Sequence, residues 1–251
     1  MTTHQTAALV LRTVDYGDHH VIVHLLGKST GRISAIAFGA RSSKRRFAGA
    51  LQPLRVVEAT VIARRGGDLM RLEELDVLED FAGLDKRIET LSAAGYGTEL
   101  VRETWREGED SEPIFALLKK FYAHLPRCPT SLAVARLVHQ FEYHLLELYG
   151  LAPAIYRCGR CGADAGSMDK LRFGRQGQGL ICGACRQGGD AIGVVTPAAL
   201  AVLHHLHDPD QPLPTHQVEA ALAQAGRVLT NAVDQLVDRP LASRQLLQQM
   251  L

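Results

Sequence analysis

Four of the five cysteines form two closely spaced pairs, and no other pattern in this sequence points to as definite a chemistry. Cys158 and Cys161 make one CxxC pair, and Cys182 and Cys185 make a second pair after 20 intervening residues. Two thiolates three residues apart can hold one ion from a tight turn, and two such pairs complete a tetrahedron of sulfur ligands. Because four protein ligands leave no open coordination position, the spacing predicts a structural zinc site. Two local disulfides or an empty site are the alternatives.

The remaining cysteine, Cys128, lies outside this pattern, and we predict an inert thiol there. An odd number of cysteines without a recognisable secretory signal favours a reducing compartment. The sequence also contains no run of about 18 apolar residues that would span a bilayer. We therefore expect a cytoplasmic location and no membrane partner.

A second chemical pattern is a group of cations in the first quarter of the chain. The densest part is the segment 41–46, where four of six residues are Lys or Arg. Cations on the loops of a small barrel neutralise phosphates, so we predict nucleic-acid contacts there. Aromatic residues are few in this region, which favours backbone contact over base stacking. A solvated loop or another acidic partner is the alternative. Further cations come from the same part of the chain: Arg12, Lys28, Arg32, Arg55, Arg64, Arg65 and Arg71.

The small net charge of +1 conceals segments of opposite charge. Residues 1–72 carry +7, residues 73–112 carry −9, residues 113–190 carry +5 and residues 191–251 carry −2. Segregation of this kind indicates a basic face built from two separate stretches of chain. We interpret the acidic stretch 73–112 as a solvated helix face. The second interpretation is a regulatory segment that competes with DNA for the basic face.

Sequence motifs of several enzyme classes are missing. The chain has no GxxxxGK[ST] phosphate loop, no HExxH or GxSxG and no HxE…PCxxC deaminase pattern. The histidine clusters at 19–20 and 204–207 have no partner motif beside them. We therefore expect a binding protein and not an enzyme.

The elements that must position these residues fall into two classes. Five short apolar runs separated by turn residues fill the first 80 residues, which predicts a five-stranded OB-type barrel, with a small open sheet as the alternative. Helical spacing begins near residue 84 and includes an apolar stripe from Val134 to Leu148 that is predicted to face a core. The predicted fold class is α+β, a barrel followed by a helical domain with an inserted zinc-ribbon-like module. The predicted boundaries are 1–80 for the barrel, 81–155 and 190–251 for the helical domain, and 156–189 for the cysteine module.

Taken together, these residues resemble bacterial RecO, the recombination-mediator family of DNA repair. The resemblance covers essentially the whole chain. It rests on Arg12, Tyr16-Gly17-Asp18, Gly31, Gly39-x-Arg41, the basic segment that follows, Leu51-x-Pro53, the LYGLAP sequence after the long helix, the two CxxC pairs and Ser243-Arg244.

The resemblance implies a protein that binds single- and double-stranded DNA and anneals complementary strands without nucleotide. Carried over by position, the DNA-contact candidates are Lys28, Arg32, Arg41, Lys44, Arg45 and Arg46. It implies RecR and single-strand DNA-binding protein (SSB) as partners, RecA loading on SSB-coated DNA, and association with the nucleoid. Because the SSB tail is acidic with an apolar end, it also implies a basic-rimmed apolar groove on the helical domain. The cysteines match the zinc-bearing members of the family, whereas some relatives lack them.

Two other functions remain open at this point. An RNA-associated OB and zinc-ribbon protein would prefer RNA over DNA of equal sequence, because its contacts would depend on the 2′-hydroxyl. A zinc-dependent hydrolase would need an open position on the metal, which four cysteine ligands do not leave.

Overall fold

The fold is that of a computed structural model, which describes residues 2–42, 47, 49–63, 69–105, 110–168, 170–175, 177, 179–189 and 191–251. The chain forms two compact units. Unit 1 comprises Met1–Cys128 together with Leu241–Met250, and unit 2 comprises Pro129–Pro240 with Leu251. Unit 2 is therefore an insertion between two segments of unit 1.

Unit 1 begins with a closed five-stranded barrel, as the turn-punctuated apolar runs predict. Its strands are β1 (Thr2–Tyr16), β2 (His20–Gly27), β3 (Gly31–Ala37), β4 (Val56–Ala63) and β5 (Met70–Glu79), joined in the order β1-β2-β3-β5-β4. The β3–β5 contact is parallel and the others are antiparallel. The 15-residue strand β1 pairs with β4 through its first half and with β2 through its second, and the register shifts between Val10 and Arg12.

The barrel interior is filled by alternate residues of the strands, as period-2 side-chain geometry requires. The segment after β3 contributes Phe47 and Ala50, whose side chains are almost fully buried in this core. The described residues of the predicted 41–50 loop, Arg41, Ser42, Phe47, Gly49 and Ala50, lie in turns. Burial of Phe47 anchors the loop and removes this ring from the exposed aromatic side chains.

The buried hydroxyl of Ser111 links the β2–β3 hairpin to the helix that follows Ser111. Ser111 Oγ accepts a hydrogen bond from the Gly31 amide at 3.0 Å and donates to the Gly27 carbonyl oxygen at 2.7 Å. Gly31 has a φ of 71°, a left-handed conformation that glycine adopts without strain. The hairpin end of the barrel is therefore tied to the start of the helix that follows Ser111.

The described part of unit 1 also contains the α-helices α1 (Ile88–Thr104), α2 (Glu112–His124) and, from the C-terminal segment, α6 (Ala242–Met250). Ile88 and Leu91, which lie at helical spacing in the first turns of α1, are both exposed. The buried face of α1 combines the small residues Ala93, Ala94 and Gly97 with larger ones such as Tyr96 and Leu100. A methyl group on Gly97 would lie 2.7 Å from the ring of Phe121, so this close contact requires glycine.

Unit 2 contains α3 (Ser131–Leu148), α4 (Pro197–His207) and α5 (Val218–Val233), with the cysteine module between α3 and α4. The predicted apolar stripe of α3 is buried from Val134 to Leu145, but Leu148 is exposed. Leu148 is the last helical residue, where the chain turns away at Gly150 with a φ of 68°. Among the described residues, no helix is both long and apolar enough to cross a membrane.

The C-terminal helix α6 is held on α1 by a carboxylate. Glu99 Oε2 accepts hydrogen bonds from both the backbone N–H and the hydroxyl of Ser243, the former at 2.8 Å. The guanidinium of Arg244 lies 5.8 Å from the ring centroid of Tyr96 on the same helix. Burial raises the pKa of Glu99, but the hydrogen bonds from Ser243 and Ala242 and the nearby Arg102 outweigh this effect, so the pKa lies below its usual value.

Replacing Ser243 tests this contact. We expect Ser243→Ala to lower the free energy of unfolding of unit 1 by about 1–2 kcal/mol at pH 7, because a charge-assisted hydrogen bond is lost. A carboxyl whose folded-state pKa is lowered stabilises the fold above its ordinary pKa of 4.5 and loses that contribution as the pH falls through the lowered value. The difference between wild type and variant should therefore shrink below about pH 4.5.

The measurement is urea unfolding followed by fluorescence of Trp105, the single tryptophan, which lies buried at the end of α1. Gln245→Ala, an exposed position on the same helix, should behave like wild type. An equal loss of stability at pH 7 and pH 3 would show that the Glu99 carboxylate does not hold α6.

Candidate nucleic-acid interface and metal centre

The outer wall of the barrel carries a row of polar side chains across three strands. Arg12 of β1 lies opposite His24 of β2, and His24 lies opposite Ser34 of β3. Directly opposed residues of antiparallel strands project from the same face, so these side chains are neighbours. His24 Nδ1 and Ser34 Oγ are 3.0 Å apart, and Arg12 is exposed to solvent.

Arginine side chains lie near His24 in this row. Burial lowers the pKa of His24, and the charges of Arg32, Arg12 and Arg102 lower it further. Three guanidinium groups thus act on one imidazole at the middle of the wall. A polyanion lying along β2 and β3 would meet an attractive field there.

At one end of the wall, the cations are joined by aromatic rings. Tyr16 of β1 is opposite His20 of β2, and the His20 ring packs edge-on against Phe38 with centroids 5.1 Å apart. The guanidinium of Arg71 lies 5.8 Å from the Phe38 ring centroid. Tyr16 is 52% exposed, so its ring is accessible at this end of the barrel.

Arg41 lies at this aromatic end. Its backbone N–H donates to the His19 carbonyl oxygen, and its guanidinium is 3.3 Å from the carboxylate of Asp15. Both side chains are at least half exposed, and an exposed ion pair of this kind contributes little stability, so Arg41 can exchange its partner for a phosphate at small cost. The other predicted contacts of this segment, Lys44, Arg45 and Arg46, lie outside the described residues.

Lys28 and Arg32 lie at the opposite end of the same hairpin. Lys28 is in the β2–β3 turn and forms an ion pair with Glu112 at 3.1 Å, whereas Arg32 begins β3 and is exposed. The eight residues of β2 separate the two ends by about 25 Å at a rise of about 3.3 Å per residue. The structure therefore does not bring Lys28 and Arg41 into one contact site.

Sequence reasoning did not place Arg12, Tyr16, His20 and Phe38 together on this wall. Tyr16 and His20 are neighbours because of the register of β1 on β2, which only the structure shows. The signal in the sequence is the spacing of four residues between Arg12 and Tyr16 and between His20 and His24, because residues an even number apart in a strand share a face.

In unit 2, the two CxxC pairs come together as a single cluster. The four sulfur atoms of Cys158, Cys161, Cys182 and Cys185 all lie within 4.8 Å of one another, and all four thiols are free. The Sγ atoms of Cys161 and Cys182 are 3.6 Å apart. Tetrahedral coordination with Zn–S bonds of about 2.3 Å places sulfurs about 3.8 Å apart, so the cluster has the dimensions of a metal site.

The pKa values of the clustered thiols also favour binding of a cation among them. Burial raises the pKa of Cys158, but backbone N–H groups of Cys182, Cys161 and Arg160 overcome this effect and bring it to about 6. Hydrogen bonds with Cys161 and Cys182 raise the pKa of Cys185 to about 12. Ionisation of one thiol in the cluster thus suppresses ionisation of another. A bound cation would offset the repulsion between the thiolates.

Backbone contacts hold the two cysteine pairs in place. The Gly162 amide donates to the Cys158 carbonyl oxygen, and the Gly159 amide donates to that of Leu180, joining the first pair to the segment before the second. The apolar stretches 171–173 and 180–181 are candidates for the hairpin of a zinc ribbon, and the structure joins them by an isolated bridge from Phe173 to Leu180. The regular partner of β6 (Arg172–Gly174) is β7 (Ala191–Val194), a strand that sequence reasoning missed.

Gly179 provides a test of this scaffold. Its φ is +75°, and an added Cβ would lie 2.1 Å from the backbone nitrogen of Ala154. We expect Gly179→Ala to destabilise the module by about 3 kcal/mol or more, because a strained conformation is combined with a backbone clash. Hydrogen exchange of the Leu180 amide, which donates to the Ala154 carbonyl oxygen at 2.7 Å, reports the effect.

Gly183→Ala is the matched control in the same module. Gly183 has no positive φ and open space where a Cβ would project, so exchange should match wild type. Similar exchange rates in both variants would show that the close contact between Gly179 and Ala154 does not stabilise the module.

Comparisons with known proteins agree with this architecture. Residues 1–81 match the family described as "Recombination protein O N terminal", and residues 86–245 match "Recombination protein O C terminal". A protein named DNA repair protein RecO from Anaeromyxobacter dehalogenans (strain 2CP-C) is 35% identical over 96% of this chain and 94% of its own. The RecO protein of Myxococcus xanthus is 35% identical over 74% of this chain and 73% of its own. The RecO protein of Syntrophotalea carbinolica is 30% identical over 97% of this chain and 93% of its own.

These matches extend over both halves of the chain and agree with the OB-like barrel and the helices that follow it. The chain belongs to the RecO family of DNA repair proteins.

Proposed function

We propose that this protein binds single- and double-stranded DNA along the outer barrel wall and anneals complementary strands without nucleotide or catalysis. With RecR, it would help to load RecA onto DNA coated by SSB, acting at the nucleoid in the cytoplasm. The observation that carries the proposal is the wall itself, where Arg12 and Arg32 flank His24 and the aromatic end adds Arg41 and Arg71.

The contacts available on the wall suit a sugar–phosphate backbone. Annealing requires that the charge of two strands be screened while their bases remain free to pair, and exposed guanidinium groups supply that screening. If about four phosphates of a single strand are engaged, log K falls with a slope of about −2.8 against log salt. Binding would then weaken roughly 50-fold between 50 and 200 mM salt.

The separation of the two ends sets the length of strand that the wall can bind. At about 3.4 Å per stacked nucleotide, 25 Å corresponds to roughly seven nucleotides. Lys28 therefore belongs to the proposed contacts only for strands that run along the whole hairpin, whereas Arg32 lies nearer to His24 and the middle of the wall. Shorter strands would bind at the aromatic end, near Arg41.

We also propose that the cysteine cluster holds zinc as a structural ion. The four sulfur donors, their spacing and the backbone N–H groups that favour a thiolate at Cys158 all support this assignment. Zinc in such a site contributes folding free energy to the module. The residues Cys158, Cys161, Cys182 and Cys185 would be its ligands.

The proposed function is tested by annealing of two complementary labelled DNA strands in the absence of nucleotide. Wild type should anneal them rapidly, and the Arg41/Lys44/Arg45/Arg46→Ala variant should be slower by at least tenfold, because phosphate contacts are lost. No annealing by folded, zinc-loaded wild type would reject the proposal. Tighter binding to RNA than to DNA of equal sequence would favour the RNA-associated alternative.

Two single variants on the same barrel locate the contacts. Arg41→Ala and Lys28→Ala each remove one exposed, ion-paired cation, but at opposite ends of the hairpin. Arg41→Ala should reduce the magnitude of the salt slope by about 0.7 for single strands of any length. Lys28→Ala should do so only for strands longer than about seven nucleotides. Equal effects of both variants on a six-nucleotide strand would refute a path along the wall.

The metal assignment has its own test. Cys182→Ser should abolish the one equivalent of bound zinc and speed hydrogen exchange in the module, while the Trp105 unfolding signal of unit 1 stays unchanged. Cys128→Ser, outside the cluster, should retain zinc. Zinc retained in full by Cys182→Ser, or bound metal absent from wild type, would overturn the assignment.

A further inference from the structure

Unit 2 contains a cleft that neither the barrel wall nor the thiol cluster accounts for. It has a volume of about 390 Å³ and lies between the start of the cysteine module and α4. Volumes of this size are typical of sites for small organic groups. Its lining is mainly apolar and consists of Tyr156, Ala165, Gly166, Met168, Leu171 and Leu200, with Asp164 and His204 as the polar members.

One wall of the cleft is a stacked pair of rings. The rings of Tyr156 and His204 are 4.4 Å apart between centroids and only 7° from parallel. His204 Nε2 lies 3.1 Å from the Ile155 carbonyl oxygen, to which it donates, and this bond holds the imidazole in place. The His207 ring meets Tyr156 at an angle of 71°, with centroids 5.9 Å apart, and Tyr156 nevertheless remains 44% exposed.

Ring stacking of this kind is how proteins hold unpaired bases, since every base has a π-face. The Tyr156–His204 pair therefore offers a fixed stacking platform.

The charges around the cleft distinguish a strand of nucleic acid from an acidic peptide. Asp164 lines the cleft, and one of its oxygens accepts from the Gly166 amide at 2.8 Å. A carboxylate inside the cleft repels an acidic chain end, but it has lone pairs left for the exocyclic amine of a base. Three cations adjoin lining residues along the chain: Arg157 follows Tyr156, and Lys170 and Arg172 flank Leu171. None of these three makes an ion pair with a residue that the structure describes.

We propose that this cleft binds one unpaired, amine-bearing base of a DNA strand, stacked on Tyr156, with its phosphates against Arg157 and Lys170. The inference rests on the proposed DNA-binding function and adds a second contact, in unit 2, to the barrel wall. Its contribution differs in kind from that of the wall, because stacking depends on the base and is insensitive to salt, whereas phosphate contacts are screened.

The test compares binding of an oligo-dC strand with binding of the same strand carrying abasic sites, by fluorescence anisotropy with the full-length protein. Wild type should bind the intact strand about tenfold more tightly. Tyr156→Ala should lose most of this preference while its salt slope stays unchanged. Tyr156→Phe should keep the preference, and so should Val194→Ala, which alters an exposed residue of the same unit that does not line the cleft.

A second measurement maps the contact in the unaltered protein, in case Tyr156→Ala does not fold. Photocrosslinking to a strand that contains 5-iodo-2′-deoxycytidine should label the peptides that carry Tyr156 or His204. Labelling confined to barrel peptides, or a full base preference in a folded Tyr156→Ala variant, would overturn the inference while leaving the proposed function intact. Absence of any salt-dependent DNA binding by wild type would overturn both. If Tyr156→Ala instead lost affinity for an acidic peptide with an apolar end and kept its base preference, the cleft would be assigned to a protein partner and the inference would be overturned.

Discussion

The register of strand β1 is the constraint on which the barrel and its candidate DNA face both depend. One strand of 15 residues must pair with β4 through its first half and with β2 through its second, because only then does the sheet close. The shift in register between Val10 and Arg12 allows the strand to change direction. It also sets which residues of β1 point outward. A slip of one residue would turn Arg12 and Tyr16 into the core, and the wall would lose both a cation and its most exposed ring.

Much of this architecture could be predicted from local signals. Turn glycines and apolar runs gave five strands within a few residues of their observed ends, and the spacing of the cysteines anticipated their cluster. Features that depend on contacts between distant segments were not predictable. The exposure of Ile88 and Leu91 is one such feature, because it depends on where other segments pack against α1 and not on the spacing of apolar residues within it. The candidate DNA residues were grouped by charge alone, and strand direction then separated Lys28 from Arg41 by the length of β2.

The thiol cluster and the aromatic cleft of unit 2 share their supporting backbone. Tyr156 precedes Cys158 by two residues, and the Ala165 amide donates to the Tyr156 carbonyl oxygen at 2.9 Å. The same turn that brings Cys158 to the cluster therefore also orders the edge of the cleft. A structural ion at this point would stabilise a surface without taking part in its contacts, which gives a physical reason for a metal in a protein of this kind.

The return of α6 to unit 1 has a consequence for biosynthesis. The barrel, α1 and α2 leave the ribosome well before their last partner, because 112 residues, 129–240, separate Cys128 from Leu241. At about 5–20 residues per second, the ribosome needs roughly 6–20 s to cover this interval. During that time Glu99 and Tyr96 have no Ser243 or Arg244 to contact, and the face of α1 that receives α6 is open to solvent or to a chaperone. A nonsense codon within the stretch that encodes residues 129–240 would thus truncate unit 2 and also deprive unit 1, which is made first, of α6.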